Sequence, residues 1–115
     1  VEEFRNTDIV LFPSTYEGFG LPVLEAFASG KPVITSDISP MKEVAGEAAM
    51  LINPYSIASI RHAVHKLIDD VSLREQLSNA GRNKVLEYFP PQITDHYKAI
   101  WEKISNHRRI FQSIL

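Results

Sequence analysis

Hydrophobic and polar positions divide this chain into two regimes. Up to about residue 55 the apolar residues come in short unbroken runs, and beyond it they recur at helical spacing. The runs Ile9 to Phe12, Val33 to Thr35 and Ala48 to Ile52 predict three strands. They are continuous rather than alternating, as expected where helices cover both faces of a parallel sheet. Between the first two, Val23, Leu24, Ala26, Phe27 and Ala28 predict a short helix, apolar nearly all round, from about Leu21 to Gly30. Pro22 suits a first helical turn, where its missing N–H costs nothing. Gly30 suits the residue past the end, and Lys31-Pro32 stops the helix from continuing. Strand, glycine turn, helix, strand outlines a parallel α/β unit. Ser39-Pro40 predicts an N-cap and the start of a second short helix over 40–45, closed by Gly46.

The second regime predicts helices alone. Ser56 is the expected N-cap of a helix running to about Asp69, with Ile57, Ile60, Val64, Leu67 and Ile68 as its core face. Ser72-Leu73-Arg74-Glu75 has the form of a capping box for a helix to about Tyr88, with Leu73, Leu77, Ala80 and Val85 inward. Phe89-Pro90-Pro91 stops it. Pro91 can open a last helix whose stripe is Ile93, Tyr97, Ile100, Trp101 and Ile104. Two readings stay open for 105–115: an amphipathic extension, or a segment docked on partners outside the chain. At the other end, residues 1–6 suggest the tail of a helix with Phe4 buried. Val1 is no natural initiator, so the chain is expected to begin inside a larger protein. The pattern amounts to one partial domain, with a strand and helix core over 1–55 and C-terminal helices over 56–115.

Composition narrows the chemistry mostly by exclusion. A net charge of -2 gives no general attraction to nucleic acid or anionic membrane. Without cysteine there is neither a disulfide nor a thiolate metal site. No apolar run has the length of a membrane span. His62 and His65 lie three apart on one predicted helix, but no further ligand has matching spacing, and a solvated face accounts for them. Asp37 and Ser39 follow the second strand, at the end where open α/β sheets bind ligands; turn and cap roles account for both.

Candidate chemistry concentrates in residues 13 to 36, PSTYEGFGLPVLEAFASGKPVITS. Glu17 precedes the glycine turn, and Glu25 lies one turn into the helix. Helical side chains lean towards the N-terminus, which directs Glu25 back to the turn. Between the two carboxylates the amides of Gly18, Phe19, Gly20 and Leu21 lack intrahelical acceptors and favour an anion. Two acceptors beside a phosphate-sized positive mouth suit a ligand carrying hydroxyls and phosphate, such as a nucleotide-sugar. A plainer reading stands beside this one: Glu17 a solvated turn residue, Glu25 a complement to the helix dipole, and the glycines purely geometric.

The same stretch, EGFGLPVLEAFASGKPVITS, closely resembles the signature of retaining glycosyltransferases of the GT-B fold, the group that includes glycogen synthase-like and bacterial mannosyl- and glucosyltransferases. Glu17 and Glu25 stand with seven residues between them, Gly18-Phe19-Gly20 fill the turn, and Pro13-Ser14, Glu25-Ala26 and Gly30 to Ile34 match as well. A looser likeness extends to about Ile104. Pro90-Pro91 departs from the aromatic-serine-tryptophan motif common at that point. The resemblance implies a three-layer Rossmann-like α/β sheet, forming the C-terminal half of a GT-B nucleotide-binding domain and followed by C-terminal helices. The first half of that domain and the acceptor domain would lie upstream.

The implied reaction moves a sugar from a UDP-, GDP- or ADP-sugar to a hydroxyl of a sugar, lipid-linked or other acceptor, keeping the anomeric configuration. Glu25 would accept hydrogen bonds from the donor ribose. Glu17 would lie by the donor sugar in a catalytic role, and the amides from Gly18 to Leu21 would hold diphosphate or sugar oxygens. The family's basic pair on the diphosphate belongs upstream, so no metal or other cofactor is expected. The implied location is cytoplasmic or peripheral to the inner membrane. Three alternatives remain: a GT-B-shaped epimerase or phosphorylase, a non-catalytic nucleotide-sugar-binding or assembly module, and a scaffold. A three-stranded sheet is also expected to expose an edge open to self-association.

Overall fold

The structure, a computed structural model, describes residues 9–15, 20–92, 94, 95, 98, 99 and 102. The expectations for Phe4, for the apolar stripe of the last helix and for 105–115 lie outside those residues. In chain order the elements are β1 (Val10–Phe12), α1 (Leu21–Ala28), β2 (Val33–Ser36), α2 (Met41–Ala45), β3 (Met50–Ile52), α3 (Ile57–Asp69) and α4 (Val71–Tyr88). The described positions between 91 and 102 are helical as well. Thr94 there is buried, its N–H donating to Pro90 O and its hydroxyl to Pro91 O, both at 3.0 Å.

The strands form one parallel sheet in the order β1-β2-β3, with Leu11 opposite Ile34 and Thr35 opposite Leu51. Alternation along β2 divides the core in two. Val33 joins Val23, Leu24, Phe27, Met41 and Val44 on the face covered by α1 and α2. Ile34 joins Ile52, Ala63, Leu67 and Leu77 on the face covered by α3. α4 serves both, with Leu77 on the second face and Val85 on the first. This is the expected three-layer α/β arrangement, and β2, covered on both sides, is buried throughout.

Four expectations need correction. β1 is not buried on both faces: it is an outer strand, and Leu11, facing the α3 side where no described helix covers it, is 43% exposed. β3 is shorter than the apolar run, because Ala48 N–H bonds back to Ala45 O and closes a turn before the ladder begins at Met50. On α3, Ile57 and Ile68 are exposed and Ala63 is buried instead. At about 100° per residue, the two isoleucines lie roughly 80° from the centre of the stripe formed by Ile60, Ala63, Val64 and Leu67.

The fourth correction concerns two caps. Ser72 does not cap α4; Asp70 does, its carboxylate accepting the Leu73 N–H at 2.9 Å. α3 and α4 share Asp70 as C-cap and N-cap, so the second helix starts two residues earlier than the capping box implied. Arg74 ties the corner by donating to Leu67 O and Ile68 O, two of the carbonyls a helix end leaves unpaired. Nor is Ser39 the cap of α2. Pro40 occupies that position, no side chain caps the helix, and the Ser39 hydroxyl donates to Glu43 Oε1 at 2.7 Å. Ser56, by contrast, caps α3 as expected, accepting the Ser59 N–H at 3.1 Å.

Candidate functional site

The C-terminal ends of the three strands make one rim, where a parallel α/β sheet places its ligands. β1 leaves the sheet at Pro13. Its last carbonyl, on Phe12, accepts a hydrogen bond from the buried Thr35 hydroxyl of β2 at 3.0 Å, which fixes the point from which the turn departs. The exits of β2 and β3 are joined by Asp37 N–H donating to Ile52 O at 2.8 Å. Ser36, the last residue of β2, is fully buried, and its hydroxyl has no hydrogen-bond partner among the described residues.

Of the six predicted site residues, Glu17, Gly18 and Phe19 lie outside the described residues, and Gly20, Leu21 and Glu25 are placed. Gly20 is the N-cap of α1, with φ 72° and ψ 16°. That left-handed conformation is one glycine adopts without the steric penalty of a Cβ. Space demands glycine as well, because a Cβ there would come 2.8 Å from Val44 Cγ2 of α2. No side chain caps α1, and Pro22 has no N–H to satisfy. Gly20 O accepts from Val23 and Leu24, and among the described residues no side-chain cap closes the positive end of the helix.

α1 is buried on every side but one. Val23, Leu24, Ala26, Phe27 and Ala28 are all buried, whereas Leu21 is 49% exposed and Glu25 is exposed. Leu21 and Glu25 are four apart and share a face. A single open stripe thus runs from the uncapped first turn to the carboxylate of Glu25. The described half of the predicted mouth is accessible, with Glu25 on the same side as the start of the helix.

A second carboxylate, Glu43 of α2, stands on the exposed surface near the residues that follow β2. The hydrogen bond from Ser39 chiefly holds its carboxyl below the usual carboxylate range, with help from its own backbone N–H and from Lys42. Among the described residues no group of three or more metal-ligating side chains comes together, and His62 and His65 are exposed on α3. No described helix is long and apolar enough to cross a membrane.

Two neighbours of the site escaped the sequence reading. One is Val44, seated on Gly20; nothing local in the sequence signals that contact. The other is the pair Gly81-Arg82 in α4. A Cβ on Gly81 would come 2.8 Å from Phe27 Cδ1, so the glycine admits α4 close against α1. A lone glycine inside a helical pattern is a signal for such an approach.

The sequence profile of the family described as glycosyl transferases group 1 matches residues 1–84. The MMP alpha-(1->4)-mannosyltransferase of Mycolicibacterium hassiacum is 32% identical over 102 residues, covering 85% of this chain and 25% of that protein. A capsular polysaccharide biosynthesis glycosyltransferase of Staphylococcus aureus is 33% identical over 110 residues, covering 94% and 27% respectively. Among solved structures, the sucrose-phosphate synthase of Thermosynechococcus elongatus superposes with a TM-score of 0.69 at 24% identity, over 90% of this chain and 27% of that one. The chain spans about a quarter of the length of these proteins.

Proposed function

The chain belongs to the glycosyl transferases group 1 family, and from that premise we propose that it supplies the donor-binding half-site of an enzyme that transfers a sugar from a nucleoside diphosphate-sugar to an acceptor hydroxyl with retention of configuration. The observation that carries this reading is the open stripe of α1. An otherwise buried helix leaves its uncapped first turn and one carboxylate accessible at the ligand-binding rim of a parallel sheet.

In this reading Glu25 accepts hydrogen bonds from the donor ribose hydroxyls, and Glu17 binds the sugar ring and acts on it during transfer. The amides from Gly18 to Leu21 face the diphosphate. Their partial positive charge is already oriented before the bond to the anomeric carbon breaks, so it stabilises the departing diphosphate without reorganisation. Cations from the rest of the full-length protein complete the neutralisation, and no metal or organic cofactor takes part. The protein works in the cytoplasm or at the inner face of the membrane.

The test is titration of the full-length protein with UDP, GDP and ADP, with and without substitutions. Glu25 is exposed, so Glu25→Ala should leave folding nearly intact. Losing a hydrogen bond to a charged group costs about 1.5–3 kcal/mol, so affinity should fall by roughly ten- to a hundredfold. Glu17→Ala should lower turnover more than affinity. Wild-type binding and kinetics in both variants would reject the assignment. The 115-residue chain alone should transfer no sugar, because the acceptor side and the diphosphate cations lie elsewhere in the proposed enzyme. Measurable product from it would show that the half-site is a whole one.

A further inference from the structure

α1 carries the candidate site at one end, and its other end is held by α4. Just past that end, Gly30 adopts φ 77°, and a Cβ built on it would lie 3.0 Å from Arg82 Nη2 and 3.4 Å from Nε. The guanidinium is therefore packed against the C-terminal end of α1, where the helix dipole concentrates partial negative charge. Arg82 is itself oriented by donating from Nη1 to Asn79 Oδ1 at 3.0 Å. One residue earlier, Gly81 lets α4 approach the Phe27 ring. The same helix presents Lys84 to the end of α2, its Nζ 3.0 Å from where a Cβ on Gly46 would sit. α4 thus places one cation behind each of the two helices on this face of the sheet. At the front end of α1, Val44 bears on Gly20.

We propose that Arg82 is a positioning residue for the donor site: by holding the C-terminal end of α1 while Val44 seats the N-terminal end, it sets where Glu25 and the first-turn amides stand along the helix axis. The inference rests on the reading of α1 as a donor site. An anionic ligand at the front pulls on the positive end of the helix, and a cation behind resists both tilt and slide. Misplacement of binding groups by about 1 Å is enough to lose much of their effect. Glu25 lies about 4.5 Å of helix from Ala28, the last residue of α1, so restraint at that end reaches it with little slack.

The experiment uses the full-length protein in five forms: wild type, Arg82→Met, Arg82→Lys, Glu25→Gln and Leu67→Val. Leu67 is fully buried in the separate cluster on the α3 face, so its variant controls for lost stability alone. Melting temperature and the dissociation constants for UDP, GDP and ADP are measured for each form, the latter well below all melting temperatures. Arg82→Met should weaken the nucleotide that wild type binds best by roughly five- to tenfold. Arg82→Lys, which restores the charge, should recover most of the loss. Leu67→Val should stay within about twofold of wild type even if its melting temperature falls as far.

The proposal is overturned if Arg82→Met also stays within that range, or if Leu67→Val loses affinity equally at an equal melting temperature. Should Arg82→Met fail to fold, Arg82→Gln, which keeps a polar side chain but not the charge, decides: weakened affinity supports the role, and wild-type affinity rejects it. If Glu25→Gln weakens binding while the Arg82 variants do not, the donor site stands and its positioning by Arg82 fails. If Glu25→Gln binds as wild type, or wild type binds no nucleotide, the donor-site reading fails and takes this inference with it.

Discussion

Phe27→Ala should destabilise the full-length protein by about 3–5 kcal/mol, seen as a melting temperature lowered by several degrees and a lower denaturant midpoint. The ring is 1% exposed, among the largest fully buried side chains of the described residues, and lies at the contact between α1 and α4. Truncation removes its transfer free energy and leaves a space that α4 cannot fill without moving. Gly81 has no side chain to offer, and the sheet fixes α1 from the other side. Gly81→Leu would not rescue the variant, because a leucine on α4 enters the space from a different direction and at a different angle. A melting temperature within a degree of wild type would mean that α1 and α4 are not packed as described.

The second large effect is expected at Gly20. Gly20→Ala meets two costs at once: about 1–2 kcal/mol for holding an L-residue in the left-handed region, and about 1–3 kcal/mol for driving its methyl into Val44. The two are separable. Val44→Ala alone should destabilise, since Val44 is buried, but in the Gly20→Ala background it should destabilise less or recover stability, because it removes the clash. The backbone cost stays in both. Nucleotide affinity should fall with Gly20→Ala, since the N-cap sets the direction of the first-turn amides. Strict additivity of the two substitutions would show that the side chains do not meet.

Much of the architecture was legible because local chemistry at the boundaries is strong. Pro22 and Gly30 delimit α1 without reference to anything outside it, and Ser56 does the same for α3. The errors arose where two local signals competed. Asp70 and Ser72 both look like caps, and the choice between them depends on α3 ending at Asp69, so that Asp70 can close one helix and open the next. Ser39 looks like a cap until Glu43 comes within reach of its hydroxyl. Ile57 and Ile68 are apolar but stand away from the centre of the α3 stripe, and angular position on the helix, not residue type, decides which side chains face inward. For the candidate site, residue types and spacing were legible from end to end. The structure adds the open face for Leu21 and Glu25 and the backbone of Gly20; Glu17, Gly18 and Phe19 lie outside the described residues.

By itself the sequence determined the alternation of strands and helices, the burial of α1 and the left-handed glycine at its start, since these depend on hydrophobic periodicity and backbone preference over a few residues. The tertiary structure decided what holds the two ends of α1 in place. Val44 on Gly20, Arg82 behind Gly30 and Gly81 against Phe27 join residues 24, 52 and 54 positions apart in the chain. No local propensity encodes such contacts. They exist only once the sheet has brought α1, α2 and α4 onto one face, where close packing leaves each side chain a single place to go.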